Sequence, residues 1–266
     1  IALSVDALLA SANASAARIG SGQWLLALPT NFIAGINVLV RSVVADTQPV
    51  LLNTQVPFTA EAFVRGAALM SEDRYTSLVP HQLSKLLAAA KEDAFVFSEL
   101  RKFNTILVGG QQPNWADVLE LRTMGVNVVV SYGMTETSGG CVYDGVPLDG
   151  VQLEIVDDRI AISGPVLAEG LGSRFVTNDL GQLVDGKLEV IGRVDRVIVS
   201  GGLKVSLDRV EEAALALGDV AEVCAVALDT QWGQSVGLAY VGKERSFAEL
   251  AELTVAAKPY RVIQLD

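Results

Sequence analysis

The sequence predicts an α/β fold followed by a smaller α+β region, and three observations carry that expectation. Short runs of Val, Ile and Leu ("TQPVLLN", "FNTILVGG", "VNVVVSYG") alternate with segments whose apolar residues recur at helical spacing. Near-continuous apolar strands of this kind belong to mainly parallel sheets covered on both faces. After Gly150 the texture changes to short alternating runs separated by Asp-Asp, Asn-Asp, Asp-Gly and Gly-Gly, which suit antiparallel hairpins. Finally, 266 residues, 50% of them apolar, suffice to bury a substantial core.

The opening "IALSVDALLASANASAARIG" reads as a helix, because it lacks the basic start of a signal peptide. Without an initiator Met, the chain is expected to begin inside a longer protein. "GQWLLALPT" then reads as a short strand ending at Pro29, and "IAGINVLVRSVVAD" as a helix. A helix within Pro57 to Met70, the strand "RYTSLVP", the helix "HQLSKLLAAAK", the strand "FNTILVGG", a helix around Trp115 to Met124 and the strand "VNVVVSYG" continue the alternation. Past the hairpins, "SLDRVEEAALAL" reads as a helix, "VAEVCAVALDT" and "SVGLAYVG" as strands, and "SFAELAELTVA" as a closing helix. The expected division is 1–149 (α/β), 150–194 (β-rich) and 195–266 (α+β), with a hinge near Arg193 to Asp195.

A net charge of -11 argues against a nucleic-acid or anionic-membrane surface, which would need Lys and Arg in excess. The mean hydropathy of +0.39 comes from dispersed Ala, Val and Leu, so no membrane-inserted segment is expected. Cys141 and Cys224 stand far apart, in no disulfide or thiolate-metal pattern, and a cytoplasmic location is the expectation. The single His81 excludes a His-rich zinc site and most Ser-His-Asp schemes within this chain. His81 is expected to cap or pack the helix after Pro80, and Cys141 to pack or line a pocket without a cationic partner to activate it. Trp24, Phe32 and Trp115 are core candidates.

Ligands of open α/β sheets sit where strands end and glycine-containing loops begin. Two segments fit: "LVGGQQP", with Gly109 and Gly110, and "VSYGMTETSGG", with Ser131, Tyr132, Gly133, Thr135, Glu136 and Gly139. Tyr132 can lie flat on an adenine-like base, and Gly133 lets the backbone approach a ligand. Thr135 can donate to phosphate, and Glu136 can ligate a hard cation such as Mg2+. A surface turn with a capping Thr and an incidental Glu accounts for these residues equally well. Asp179, in "TNDLG", can receive both ribose hydroxyls, although Asp-containing turns are common because they cap backbone amides. Arg193 can bridge a ribose or phosphate oxygen, Asp195 can sit at a pivot, and Lys204, after Gly201 and Gly202, can meet an acidic ligand. Ordinary surface ion pairs and a solvated lysine remain the alternatives.

In order, "SYGMTETSGG", "TNDLG" and "GRVDRVIVSGGLKVSLDRVEEAAL" resemble the acyl-activating, AMP-forming ligase superfamily over essentially the whole chain. "IAGINVLVRSVVA", "RYTSLVPHQLSKLL" and "SYGMTETSGGCVYDGVPLDG" are closer to its o-succinylbenzoate-CoA ligases of menaquinone biosynthesis. The resemblance implies part of a large α/β adenylate-forming domain with a β-rich region, plus a small mobile α+β domain. It implies ATP and Mg2+, with CoA as co-substrate and a carboxylic acid activated through an acyl adenylate; a homo-oligomer is left open. It assigns Tyr132 to adenine, Thr135 to phosphate, Glu136 to Mg2+, Asp179 and Arg193 to ribose or phosphate, and Gly109 and Gly110 to the adenine and substrate wall. Gly133 would let the cofactor approach, and Phe32, Ser131 and Gly139 would complete the acyl pocket. Asp195 would be the hinge, and Gly201, Gly202 and Lys204 the loop of the thioester step, so that Thr135, Glu136, Arg193 and Lys204 carry the catalysis.

Three departures stand beside the resemblance. The family's phosphate loop is expected before residue 1, its terminal catalytic lysine beyond "YRVIQLD", and many relatives carry histidine where Phe32 stands. Another aryl or fatty acid as substrate, and a noncatalytic nucleotide-binding or protein-interaction scaffold, are the two alternatives.

Overall fold

The computed structural model describes residues 1–71, 73–217, 219–231, 233–247 and 255–265. They form two compact units. The first comprises Ile1–Glu154, Ala161–Phe175 and Asp185–Leu188; the second comprises Ile155–Ile160, Val176–Val184 and Glu189–Asp266.

The first unit is built on α1 (Val5–Ile19), β1 (Gln23–Leu26), α2 (Ile33–Val44), β2 (Val50–Leu51), α3 (Ala60–Ala67), β3 (Arg74–Leu78), α4 (Pro80–Glu92), α5 (Ala94–Leu100), β4 (Phe103–Gly109), α6 (Trp115–Thr123), β5 (Val128–Met134), β6 (Gly139–Tyr143) and β7 (Val146–Pro147). The seven strands form one sheet in the order β2-β1-β3-β4-β5-β6-β7. The ladders from β2 to β5 are parallel, as the apolar strand runs require, and β6 and β7 close the edge antiparallel. Its main core, with Phe63, Leu86, Ile106, Val118 and Leu121 all fully buried, fills with side chains from α3, α4, α6 and β4. Burial of each such side chain contributes about 1.5–3 kcal/mol.

Helices begin where the backbone finds a cap. Ser4 accepts from the Ala7 amide at 3.1 Å to start α1, and Asn114 accepts from the Ala116 amide at 3.0 Å to start α6. At α4 the capping role expected of His81 falls to Gln82. Its Oε1 accepts from the Val79 amide at 3.1 Å while its Nε2 donates to the Ala27 carbonyl at 3.0 Å, and His81 is exposed. The core assignment of the large aromatics holds for Trp24, 2% exposed, and fails for Phe32 (62%) and Trp115 (41%). Phe32 precedes the first turn of α2 in extended conformation, and Trp115 opens α6 a turn before the buried Val118.

Helices α1 and α2 both grip β6 and the residue just before it through polar residues one helical turn apart. From α1, Ser11 donates to the Ser138 carbonyl at 3.1 Å, and Ser15 shares a hydrogen bond with the Tyr143 hydroxyl at 2.8 Å. From α2, Asn37 donates to the same Ser138 carbonyl at 2.8 Å, and Arg41 donates to the Tyr143 hydroxyl at 3.0 Å. The Arg41 guanidinium, 6% exposed, also lies 4.9 Å from the Trp24 ring centroid. The spacing of four residues places each pair on one helix face.

Next come β8 (Gln152–Val156), β9 (Arg159–Ser163), β10 (Arg174–Val184) and β11 (Lys187–Arg193), a four-stranded sheet in the order β11-β10-β9-β8 through whose strands the unit boundary runs. The Asp-Asp and Asp-Gly signals are turns with both central residues at positive φ, Asp157 and Asp158 in one, Asp185 and Gly186 in the other. Asn178 and Asp179 are not a turn. They lie inside the eleven-residue β10, where the Asp179 amide is met by the Thr177 hydroxyl at 3.0 Å, so a turn residue type is accommodated mid-strand by a local side-chain bond.

The second unit continues with β12 (Val197–Ser200), β13 (Leu203–Ser206), α7 (Leu207–Leu215), β14 (Val220–Thr230), β15 (Gly233–Gly242) and β16 (Arg261–Leu265). β12 and β13 form a hairpin turning on Gly201 (φ +56°) and Gly202 (φ +81°). β14 pairs antiparallel with β15, and β16 joins β15 in parallel, so the last residues are a strand the sequence reading did not foresee. Residues 248–254 of the helix expected over "SFAELAELTVA" lie outside the described residues. No described helix is long and apolar enough to cross a membrane.

Candidate functional site

The motif "SYGMTETSGG" is a strand, a tight turn and a second strand rather than a loop. Ser131 through Met134 belong to β5, a 3-10 turn covers Thr135–Thr137, and Gly139 opens β6. Glycines allow the close pairing. A Cβ on Gly133 would sit 2.1 Å from the Gly139 carbonyl oxygen, and one on Gly139 would sit 2.1 Å from Asn37 Nδ2. On the neighbouring strand, a Cβ on Gly109 would lie 2.6 Å from the Ser131 carbonyl oxygen, so the absent side chain lets β4 stay paired with β5 up to its last residue. Gly110 follows in left-handed conformation at φ +84°.

The turn is braced from behind. Ser138, left-handed at φ +50°, directs its amide to the Thr135 carbonyl at 3.1 Å, and its carbonyl receives Ser11 and Asn37. The Ser138 hydroxyl donates to the Val166 carbonyl at 2.8 Å, and the Ala168 amide donates to the Glu136 carbonyl at 2.8 Å. The Thr137 hydroxyl accepts from the Met134 amide at 3.0 Å and reaches the Gly139 carbonyl at 2.8 Å. What remains is the Thr135 hydroxyl and the Glu136 carboxylate, both half-buried and neither bonded to another described residue.

This donor set fits a magnesium-type ion. Such an ion takes one or two protein carboxylates and completes its shell with water and phosphate oxygens. Among the described residues no group of three His, Cys, Asp or Glu could build a cage from protein alone. Cys141, two residues into the second strand of the motif, is fully buried, and burial pushes its thiol up to about 11. It is a packing residue, not a nucleophile.

The second unit brings together a different set. The Arg193 guanidinium forks onto Asp195, with Nε to Oδ1 at 2.9 Å and Nη2 to Oδ2 at 3.2 Å, and its Nη1 lies 3.4 Å from Asp179 Oδ1. The hydrogen bond from Arg193, reinforced by its charge, holds the Asp195 carboxyl below the usual aspartate value. Asp195 is exposed, whereas the Asp179 side chain retains 13% exposure. Lys204 lies 3.7 Å from Asp158 with both side chains more than three-quarters exposed, a pair that contributes little to stability. Gly201 and Gly202 are open, with nothing within 4 Å of an added Cβ.

Sequence reasoning missed Ser11, Asn37, Arg41 and Ser138, although a polar pair four residues apart inside an apolar helical stripe was the available signal. It also missed Asp208 and Glu211, which hold the segment around Asp195 from α7. Phe32 stands exposed at the start of α2, beside the Pro29 carbonyl that its amide meets at 3.3 Å. A concavity of about 330 Å3 contains none of the sequence-predicted residues. It lies by the amino-terminal ends of β4 and β5, lined by Arg18, Thr105, Asn127, Tyr143 and Lys187 among others. Strand ends with glycine-tight backbone and an outward carboxylate are the better basis for assigning a site.

A mainly parallel α/β sheet that presents an unpartnered hydroxyl and carboxylate at the carboxyl end of β5 defines a protein of the strand-end ligand-binding class. The chain belongs to the AMP-binding enzyme family, which residues 1–170 match. It is 42% identical over 258 residues to a probable 2-succinylbenzoate-CoA ligase of Mycobacterium tuberculosis, covering 90% of this chain and 66% of that protein. To the 2-succinylbenzoate-CoA ligase of Escherichia coli it is 26% identical over 249 residues, covering 85% of this chain and 51% of that one. The o-succinylbenzoate CoA synthetase of Bacillus subtilis, solved with its acyl-adenylate intermediate, superposes with a TM-score of 0.85 at 25% identity, over 99% of this chain and 62% of that structure. The chain thus spans between about half and two thirds of the length of these relatives.

Proposed function

We propose that the protein carrying this chain activates o-succinylbenzoate with ATP and transfers it to CoA. A carboxylate oxygen of the acid attacks the α-phosphorus of ATP, the bond to pyrophosphate breaks, and an acyl adenylate forms. The CoA sulfur, having lost its proton, then attacks the acyl carbon, and AMP leaves with the electron pair of the acyl-oxygen bond. The observation that carries the reading is the braced turn with its unpartnered Thr135 hydroxyl and Glu136 carboxylate on an AMP-binding scaffold. The choice of acid rests on the similarity to the named ligases.

In this reading Tyr132 stacks on adenine against the wall of Gly109 and Gly110, and Gly133 lets the nucleotide approach the backbone. Thr135 donates to phosphate, and Glu136 holds Mg2+, which when bound neutralises phosphate charge. Asp179 and Arg193 take the ribose. Arg193 with Asp179 and Asp195 sums to +1 - 2 = -1, so this cluster suits hydroxyl groups better than phosphates. Phe32, Ser131 and Gly139 border the acyl group. Asp195 is the pivot between half-reactions, with the Gly201, Gly202 and Lys204 loop serving thioester formation. A cytoplasmic location agrees with the absence of long apolar helices among the described residues and with free cysteines.

The test uses the protein expressed from its gene, with whatever residues flank this chain, together with ATP, Mg2+, CoA and a panel of carboxylic acids. Formation of AMP and acyl-CoA in equal amounts, selective for o-succinylbenzoate, is the expected result. Selectivity for another aryl or fatty acid would overturn the substrate, and no ATP consumption with any acid would overturn the activity.

A further inference from the structure

The segment on either side of Asp195 is held by a helix that the proposed site does not include. Asp208, in the first turn of α7, has two donors on one carboxylate. Its Oδ2 accepts from the Arg193 backbone amide at 3.1 Å, and its Oδ1 accepts from Arg196 Nε. Arg196 Nη2 continues to Glu211 Oε1, which also accepts from the Ala225 amide of β14 at 2.7 Å. Burial works to lower the Arg196 pKa, and the hydrogen bonds with Asp208 and Glu211 outweigh it, leaving the guanidinium charged more firmly than usual. Gly192 is part of the fit, since a Cβ there would meet Ser206 Oγ at 2.6 Å and Asp208 Oδ2 at 3.0 Å.

One carboxylate therefore grips the backbone before Asp195 and the side chain after it, and this fixes the course of residues 193 to 196. The direction of the Arg193 side chain toward Asp179 follows from that course. We propose that Asp208 is a positioning residue for Arg193, setting its guanidinium beside Asp179 so that the two recognise the hydroxyls of a nucleotide's ribose. The inference rests on the ribose role given to Arg193 and Asp179 above. Arg196 and Glu211 anchor Asp208 to the body of the second unit.

An amide in place of the carboxylate offers one acceptor where two donors converge, so one of them must face an N-H group. Asp208→Asn thus disturbs the position of Arg193 without touching a ligand. The probe that separates positioning from general damage is 2',3'-dideoxy-ATP, which lacks both hydroxyls. Titration calorimetry of the protein expressed from its gene, with Mg2+-ATP and with the dideoxy analogue, reads binding without requiring turnover.

Wild-type protein is expected to bind ATP at least tenfold more tightly than the analogue. Asp208→Asn should weaken ATP about tenfold and leave the analogue within twofold, collapsing the discrimination. Arg196→Lys, which keeps the charge but loses the fork, supplies a second variant if the first does not fold, and should narrow the ratio in the same direction. The inference is overturned if wild-type protein fails to discriminate, if the variant weakens both nucleotides equally, or if ATP binding is unchanged. Ribose discrimination lost in the variant, in a protein that activates no carboxylic acid, would uphold this inference while overturning the proposed activity.

Discussion

Gly139→Ala tests the brace behind the Thr135–Glu136 turn. Gly139 sits at φ +91°, and an added Cβ would fall 2.1 Å from Asn37 Nδ2. Left-handed backbone costs a residue with a Cβ about 1–2 kcal/mol. Asn37 is 2% exposed and has no open side to retreat to, so the methyl must break its 2.8 Å bond to the Ser138 carbonyl. Loss of a buried hydrogen bond with its partner left in place costs about 1–3 kcal/mol. Ser11 still donates to that carbonyl, which holds the second term toward its lower end. The expected total is about 2–5 kcal/mol, measured as the change in unfolding free energy in urea.

A double-mutant cycle isolates the contact. Asn37→Ala alone loses the same hydrogen bond, and in that background Gly139→Ala should cost only its backbone strain. The two substitutions should therefore fall short of additivity by about 1–3 kcal/mol. Additivity within about 0.5 kcal/mol would refute the argument, because it would mean that the methyl never meets the amide.

Other consequences of the structure are open to simpler measurements. In native protein a thiol reagent should modify Cys224 and leave Cys141 unreacted until denaturant is added, since one is exposed and the other buried. Because burial raises the folded Cys141 pKa from 9.0 to about 11, its contribution to stability is complete below pH 9 and is lost as pH rises through about 11; Cys141→Ala should flatten that alkaline decline. Asp195 has the opposite sign: its folded pKa is depressed by Arg193, so its contribution is present above the ordinary aspartate value and fades as pH falls through the folded one. Carboxyl titration by NMR should show the Asp195 value rising in Arg193→Gln. Phe32→Ser should leave the unfolding free energy within about 0.5 kcal/mol, because the ring is already in water.

The parallel part of the sheet was legible because buried parallel strands are apolar on both faces, which makes "TILV" and "VVV" stand out from any helix of comparable length. Strand β6 was not, because "GGCVY" begins with two glycines, and glycine registers as a loop unless the partner strand is known. Helix α5 escaped for another reason. Its seven residues are too few to show a period, and Asp93 both ends α4 and caps α5 by accepting from the Phe95 amide at 2.8 Å. Asn178-Asp179 was misread because turn propensity is a local preference, and a strand paired within a sheet overrides it.

The candidate site divides along the same line. Thr135, Glu136 and Asp179 became candidates through residue type and motif order, because the chemistry they offer belongs to the residue itself. The residues that hold the Thr135–Glu136 turn did not, because Ser11 and Asn37 act through single bonds to a distant backbone carbonyl, and no local pattern encodes a partner 101 or 127 positions away. Some of that information was still present. Asn37 and Arg41 interrupt the apolar face of α2 at a spacing of four, and Ser11 and Ser15 do the same in α1. A polar group in a buried stripe must be satisfied by something, so each pair pointed to an acceptor or donor across the interface before its identity could be known.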